Sequence, residues 1–152
     1  MLDSILESAP WLLPVFGALF GLVWGSFLNV VIHRLPIGES LVTPRSRCPS
    51  CKNSVSGFDN IPVLSYLLLG GKCRHCRIPV SIRYPFVEAV VGAASVVSLL
   101  RHGPSIDYVC EFAFVASVVA LIFIDYDHQI LPDRITLFGV LIALAVAGPR
   151  HD

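Results

Sequence analysis

The feature that most constrains this chain is a long apolar run near its start. From Trp11 to Ile32 no side chain is ionisable, and at about 1.5 Å per residue a helix of that length crosses a hydrocarbon core of about 30 Å. A cleaved signal peptide is the alternative, but Asp3 and Glu7 make the preceding segment acidic and no small-residue cleavage site follows. The run predicts a first membrane helix at residues 11–33.

Three further apolar stretches follow, at Pro85–Leu100, Tyr108–Ile124 and Ile135–Ala147. The first two are long enough to span a bilayer with help from their flanks, whereas the third is too short. With 55% hydrophobic and 14% charged residues the chain is too apolar to be disordered, and its zero net charge excludes a general nucleic-acid binder. We predict an all-α polytopic membrane protein with about four membrane helices, the last incomplete, and a tail at residues 148–152.

Basic residues concentrate between the first two apolar stretches. Residues 34–84 hold eight of the eleven Lys and Arg residues but only two acids, Glu39 and Asp59. Short loops rich in Lys and Arg stay in the cytosol, so this loop is predicted to be cytosolic and the N-terminus to lie outside. Following the spans, the polar segment Asp125–Arg134 then returns to the cytosolic side.

Four cysteines in this loop form two Cys-x-x-Cys pairs separated by 21 residues. Two such knuckles complete a four-sulfur site that suits zinc, and a loop of this size is too small to be held together by apolar burial alone. Two disulfides or a redox-active pair are the alternatives, but a reduced cytosol disfavours the former and the loop lacks the βαβ context of the latter. We predict a zinc-ribbon-like domain at residues 34–84. Its predicted ligands are Cys48, Cys51, Cys73 and Cys76.

Small and polar residues also mark the predicted helices. Within the first span they recur every four positions, at Gly17, Gly21, Gly25, Asn29 and His33. Such a stripe is typical of close helix packing, and a functional role for Asn29 or His33 is the alternative. Glu88 and Glu111 lie about one turn inside the next spans. A carboxylate there faces a polar interior, pairs with a base or marks the interface.

Three aspartates lie within nine residues where the third apolar stretch ends: Asp125, Asp127 and Asp133. Asp133 fits the cap or first turn of the following helix, and Asp127 fits a solvated or turn position. Asp125 directly follows the apolar run and is the least well explained by capping. A carboxylate at a membrane edge is a candidate for acid–base chemistry, although one such residue alone is a weak signal.

Several ordered motifs together carry a family resemblance. The chain resembles the bifunctional type IV prepilin leader peptidases/N-methyltransferases from its first span to about Ala147. The matching motifs are, in order, Gly25–Pro36, Pro44–Cys51, Asp59–Tyr66, Gly71–Arg77 and Ser81–Glu88, followed by Ile124–Asp133.

The resemblance implies an enzyme of the bacterial inner membrane in type IV pilus or type II secretion biogenesis. Such an enzyme cuts the leader from prepilins or pseudopilins and methylates the new N-terminal amine with S-adenosylmethionine. Its proteolysis is of the aspartic type, and Asp125 matches the first catalytic aspartate. The second belongs to a Gly-x-Gly-Asp motif that this sequence does not contain. We therefore expect residues 85–147 to include only the start of the peptidase domain, and the chain to be an N-terminal portion that does not cleave alone.

Two other functions stay open at this point. One is a non-enzymatic, zinc-stapled membrane adaptor that docks a partner of a pilus or secretion assembly. The other is methyl transfer alone, although no glycine-rich nucleotide-binding signature supports it. Membrane lipid is an expected partner under each of these hypotheses.

Overall fold

The computed structural model describes residues 8–130 and 132–147, and the regular elements within them are helical. The predicted tail at 148–152 lies outside the described residues. The helices are α1 (Leu12–Arg34), α2 (Leu64–Leu68), α3 (Arg83–His102), α4 (Ile106–His128) and α5 (Asp133–Ala147), with a short 3-10 helix at Phe58–Asn60. By length and composition α1, α3 and α4 can each cross a membrane. The predicted all-α architecture, with a loop region after the first long helix, is confirmed.

The long helices extend beyond their apolar runs. At the start of α4 the Ser105 side chain accepts a hydrogen bond from the backbone N–H of Tyr108. At its end Gln129 adopts a left-handed conformation (φ 52°), and its N–H donates to the carbonyl of Asp125 at 2.8 Å. These caps lie outside the apolar stretch Tyr108–Ile124, so α4 includes polar residues at both of its ends. Asp125 lies in the last turn of α4.

Glycines on α1 allow α3 to approach closely. A Cβ added to Gly21 would lie 2.6 Å from the Cβ of Ser95, and one added to Gly25 would lie 2.7 Å from the Cα of Glu88. Real side chains do not pack at such distances, so only glycine fits between the two backbones at these positions. The prediction that this stripe is a helix-packing face is confirmed for the glycines.

The stripe ends before His33. Asn29 is buried and its Nδ2 donates to the carbonyl of Tyr84 at 3.0 Å, in the first turn of α3. His33, by contrast, is exposed. A step of four residues overshoots one helical turn by about 40°, so the stripe rotates away from the contact. Placing His33 in the packing face was therefore wrong.

The interior lies where α1, α3 and α4 meet. Ile32, Val87 and Ile124 are completely buried there, one from each helix. Ser95 and Tyr108 share a hydrogen bond of 3.0 Å between their hydroxyl oxygens inside the bundle. This bond satisfies two polar groups that would be costly to bury alone.

The two carboxylates inside the long helices have different kinds of partner. Glu111 pairs with Arg101 Nη1 at 2.9 Å and with His102 Nε2 at 2.5 Å, at the end of the bundle where α3 meets α4. Glu88 is buried, and its Oε2 accepts the backbone N–H of Val63 at 2.7 Å. Glu111 therefore pairs with bases, as one of the predicted alternatives had it, whereas Glu88 anchors a segment of the loop.

Candidate metal centre and membrane-edge carboxylate

Each Cys-x-x-Cys pair forms a knuckle closed by backbone hydrogen bonds. In the first knuckle the N–H of Cys48 donates to the carbonyl of Asn53, and the N–H of Lys52 donates to the carbonyl of Cys48, each at 2.9 Å. The second knuckle repeats the first of these bonds between Cys73 and Ile78, also at 2.9 Å. The two pairs therefore have the same local structure, as their equal spacing predicts.

The residue after the second cysteine of each pair has a left-handed backbone. Lys52 has a φ of 58° and Arg77 a φ of 60°. Each knuckle is flanked by one antiparallel bridge, Arg47–Ser54 in the first and Lys72–Pro79 in the second. The left-handed residue turns the chain back into this bridge, which is what brings both thiols of a pair to one side.

The four sulfur atoms converge on one point. They lie within 4.8 Å of one another, and the Sγ atoms of Cys48 and Cys76 are 3.7 Å apart. Tetrahedral coordination with metal–sulfur bonds of about 2.3 Å places sulfurs about 3.8 Å apart, whereas a disulfide bond is about 2.05 Å long. All four of these cysteines are free thiols in the structure. The cluster therefore has the dimensions of a four-sulfur metal site.

Backbone N–H groups and neighbouring thiols set the acidity of the cluster. Hydrogen bonds from the N–H groups of Cys51 and Ser50 lower the pKa of Cys48 to about 6. At Cys76 the N–H of Ile78 also acts to lower the pKa, but burial and the other thiols outweigh it and raise the pKa to about 11. Four thiolates this close need a cation, so the cluster is suited to a divalent metal ion.

A bidentate ion pair ties the second knuckle to the 3-10 helix. Arg74 Nε donates to both carboxylate oxygens of Asp59 at 3.0 and 2.9 Å, and Nη2 donates to Oδ1 at 2.6 Å. The guanidinium holds the pKa of Asp59 below its usual value. Sequence reasoning missed this pair. The available signal was that Asp59 is one of only two acids in a strongly basic loop.

Asp125 is exposed in the last turn of α4. Two residues on, Asp127 accepts from Arg83 Nη1 at 2.7 Å and 2.5 Å through its two oxygens. Arg83 is the first residue of α3 and also lies 5.3 Å from the ring centre of Phe123. The end of the loop and the end of α4 are therefore at the same end of the helix bundle.

The three aspartates have different surroundings. Asp127 is neutralised by Arg83, and Asp133 is the first residue of α5, which agrees with its predicted place in a first turn. Asp125 makes no side-chain hydrogen bond or ion pair with the residues that the structure describes. The structure thus brings the four predicted metal ligands together, and Asp125 is an exposed carboxylate without a side-chain partner among the described residues.

These features define a class: a helical, multi-pass membrane protein with a two-knuckle thiol cluster between its first two spans. Within that class the chain belongs to the bacterial A24 peptidase family, since the family description "Bacterial Peptidase A24 N-terminal domain" matches residues 19–102. The match includes α1 from residue 19 onward, all four cysteines of the cluster and α3.

Curated relatives that match are named "Prepilin leader peptidase/N-methyltransferase". The protein of Myxococcus xanthus (strain DK1622) is 46% identical, over 91% of this chain and 41% of the relative. That of Legionella pneumophila is 36% identical, over 99% of this chain and 60% of the relative. That of Aeromonas hydrophila is 37% identical, over 90% of this chain and 56% of the relative. The chain thus spans about half the length of these relatives. No solved structure matches it.

Proposed function

We propose that this chain acts in the cleavage of leader peptides from prepilins or pseudopilins, and in methylation of the product, as the N-terminal portion of a leader peptidase/N-methyltransferase. The observation that carries the proposal is the family match, which runs through both knuckles and the helices that flank them. The relatives' shared name supplies the reaction and the substrate class. The domain limits that we propose are 11–33, 34–84 and 85–147.

We assign a structural zinc ion to Cys48, Cys51, Cys73 and Cys76. The sulfur–sulfur distances fit it, and thiolate ligands favour zinc over hard cations. A site with four protein ligands has no open position for a substrate, so the ion holds the loop together rather than reacting. The loop's own contribution is to present two knuckles of the same geometry to one cation.

We assign Asp125 as one carboxylate of an aspartic peptidase. In that chemistry one carboxylate takes a proton from water while a second, kept protonated, donates to the scissile carbonyl. Asp127 is paired with Arg83 and cannot fill the second role without losing that partner. Within residues 8–130 and 132–147 the Asp125 side chain has no hydrogen bond or ion pair to another residue, and we infer that the partner acid comes from outside these residues.

The methyl donor implied by the family is S-adenosylmethionine, a polar and charged molecule. A cavity of about 380 Å³ lies between the start of α1 and the α3–α4 junction, with Leu12, Phe16, Leu99 and Val109 among its lining residues. Its lining is almost wholly apolar, and it lies at the opposite end of the bundle from Asp125. These residues do not fit the donor, and we assign none of them to methyl transfer.

The proposed location is the bacterial inner membrane, with the N-terminus outside and the cysteine loop in the cytosol. The excess of Lys and Arg in residues 34–84 supports this orientation. The Arg83–Asp127 pair supports a common side for the loop and Asp125, because it joins the start of α3 to the end of α4. A cytosolic leader peptide would then meet both.

The test is intact-mass analysis of a model prepilin incubated in detergent with S-adenosylmethionine. It uses two proteins: the chain as given, and a chimera in which residues 1–147 are followed by the remaining part of the Myxococcus xanthus relative. We expect an unchanged mass with the first and loss of the leader with the second. A chimera that folds and binds zinc but leaves the precursor intact would contradict the proposal and favour the adaptor hypothesis.

A further inference from the structure

The short helix α2 has an apolar face that the described part of the chain leaves uncovered. Leu64, Leu67 and Leu68 are 50%, 68% and 77% exposed. Their spacing puts them on one side of the helix, while Ser65 and Tyr66 are partly buried on the other. We call these three residues the leucine face. A helix in water has polar residues on its outer side, so this arrangement is inverted.

The position of α2 along the bundle is set by Glu88. Its Oε2 accepts the N–H of Val63, the residue before α2, at 2.7 Å. Glu88 is five residues inside α3, or about 7.5 Å from its start. A side chain leans toward the start of its own helix, so the bond to Glu88 places Val63 beside the first turns of α3. The loop therefore folds back against the membrane-spanning helices before α2 begins.

A tight turn at Val63 directs the chain into α2. Val63 has φ 59° and ψ −49°, and the N–H of Leu64 donates to the carbonyl of Pro62, which together make a γ-turn. This conformation is rare for a β-branched residue and persists only where the surroundings hold it. The buried carboxylate of Glu88, which accepts the N–H of Val63, is one contact that stabilises it here.

A second contact fixes the other side of α2. The hydroxyl of Tyr66 donates to the carbonyl of Val80 at 3.4 Å, and the tyrosine ring covers Gly71, where an added Cβ would lie 2.8 Å from the hydroxyl oxygen. Val80 is three residues before α3. Ile82, directly before α3, is itself 73% exposed. The leucine face thus lies beside the start of a membrane-spanning helix.

Charge decides between lipid and a basic peptide as the occupant of this face. Residues 34–84 carry eight Lys and Arg residues against two acids, and the acid Asp59 is already paired with Arg74. Lys72, four residues after the leucine face, is exposed. Such a surface attracts anionic lipid head groups and repels a basic peptide.

We propose that α2 is an interfacial membrane helix. It lies in the leaflet on the loop side, with Leu64, Leu67 and Leu68 against the acyl chains and the basic loop at the head groups. The strength with which such a helix binds lipid depends on the apolar area that it buries among the acyl chains and on its attraction to anionic head groups. The proposal concerns the position of the loop relative to the membrane and does not depend on the catalytic role of Asp125.

The experiment places a tryptophan on the leucine face. Trp11 and Trp24 are replaced by Phe, and Leu68→Trp is introduced as the single fluorophore. The protein is reconstituted in vesicles of phosphatidylglycerol and phosphatidylcholine whose acyl chains are brominated near the head group. A matched protein carries Leu19→Trp instead, on a face of α1 that is 61% exposed. Metal content of both variants confirms that the loop is folded.

We expect the brominated lipid to quench Leu68→Trp within about twofold of Leu19→Trp, as burial at the level of the acyl-chain boundary requires. Quenching by aqueous acrylamide but not by brominated lipid would place the helix in water and overturn the proposal. Protection from both quenchers would show a protein partner on the leucine face and would overturn it equally. Adding Glu88→Leu to Leu68→Trp removes the acceptor for the Val63 N–H and should weaken lipid quenching. Unchanged quenching would show that Glu88 does not set the depth of α2.

Discussion

At the scale of single residues, the four cluster cysteines are equivalent in spacing but not in chemistry. Cys48, whose pKa is lowered to about 6 by N–H groups of its own knuckle, is ready to bind as a thiolate. Cys76, whose pKa is raised to about 11, needs the cation before it ionises. Metal binding at this site should therefore release protons, and it should weaken as the pH falls, because protons compete with the cation for sulfur.

Replacing one cluster cysteine should abolish stoichiometric zinc binding. In Cys76→Ser the site keeps three thiols, and we expect the zinc content of the purified protein to fall from about one per chain to below about a tenth. Elemental analysis after chelator washing measures this. The matched control is Cys110→Ser, because Cys110 lies in α4 outside the cluster. Full zinc content in Cys76→Ser would show that the four sulfurs are not the site.

Prepilin cleavage should depend on the carboxylate of Asp125. In the chimera with the Myxococcus xanthus relative, Asp125→Asn should lower prepilin cleavage by about a thousandfold or more, because an amide cannot exchange the proton that the reaction moves. The control is Glu39→Gln, an exposed acid in the loop. Cleavage rates at saturating precursor measure the effect. A rate for Asp125→Asn close to that of Glu39→Gln would remove Asp125 from the mechanism.

At the scale of elements, the long apolar runs of the sequence predicted the long helices but not the path of the loop between them. The glycine stripe of α1 predicted close packing because it reflects local geometry that any helix must obey. The Glu88–Val63 bond joins residues 25 positions apart, and no periodic pattern encodes such a contact. The same holds for Arg83 and Asp127, which are 44 positions apart. Spacing predicted the cysteine cluster because each knuckle is local and because two thiol pairs of this kind together suit one shared metal ion.

The close contact between α1 and α3 should tolerate no side chain at Gly21. Gly21→Val should lower the free energy of unfolding by about 1–3 kcal/mol, because even a Cβ there would lie 2.6 Å from Ser95 and 2.8 Å from the Cα of Gly92. The shift of the thermal unfolding midpoint in detergent measures it. Gly139→Ala in α5 is the control, since an added Cβ there meets no atom of the described residues within 4 Å. An unchanged midpoint in Gly21→Val would mean that α1 and α3 can separate at no cost.

At the scale of the whole molecule, the cysteine loop and Asp125 lie at the same end of the helix bundle. Asn29 binds Tyr84 between α1 and α3, and Arg83 binds Asp127 between α3 and α4. Both contacts lie where the cysteine loop leaves and rejoins the helices. The opposite end has the Glu111 pairs and the apolar cavity. A substrate that enters from one compartment can therefore reach both the loop and Asp125.

The cysteine loop and the α3–α4 junction should lie on opposite sides of the membrane. Reporter domains inserted at Gly57 and at Gly103, where an added Cβ would meet no atom of the described part of the chain within 4 Å, should report opposite compartments. We expect green fluorescent protein to fluoresce and alkaline phosphatase to be inactive at Gly57, with the reverse pattern at Gly103, because the basic loop is retained in the cytosol. Active alkaline phosphatase at Gly57 would place the cysteine cluster outside, where thiols oxidise, and would contradict the zinc assignment together with the orientation.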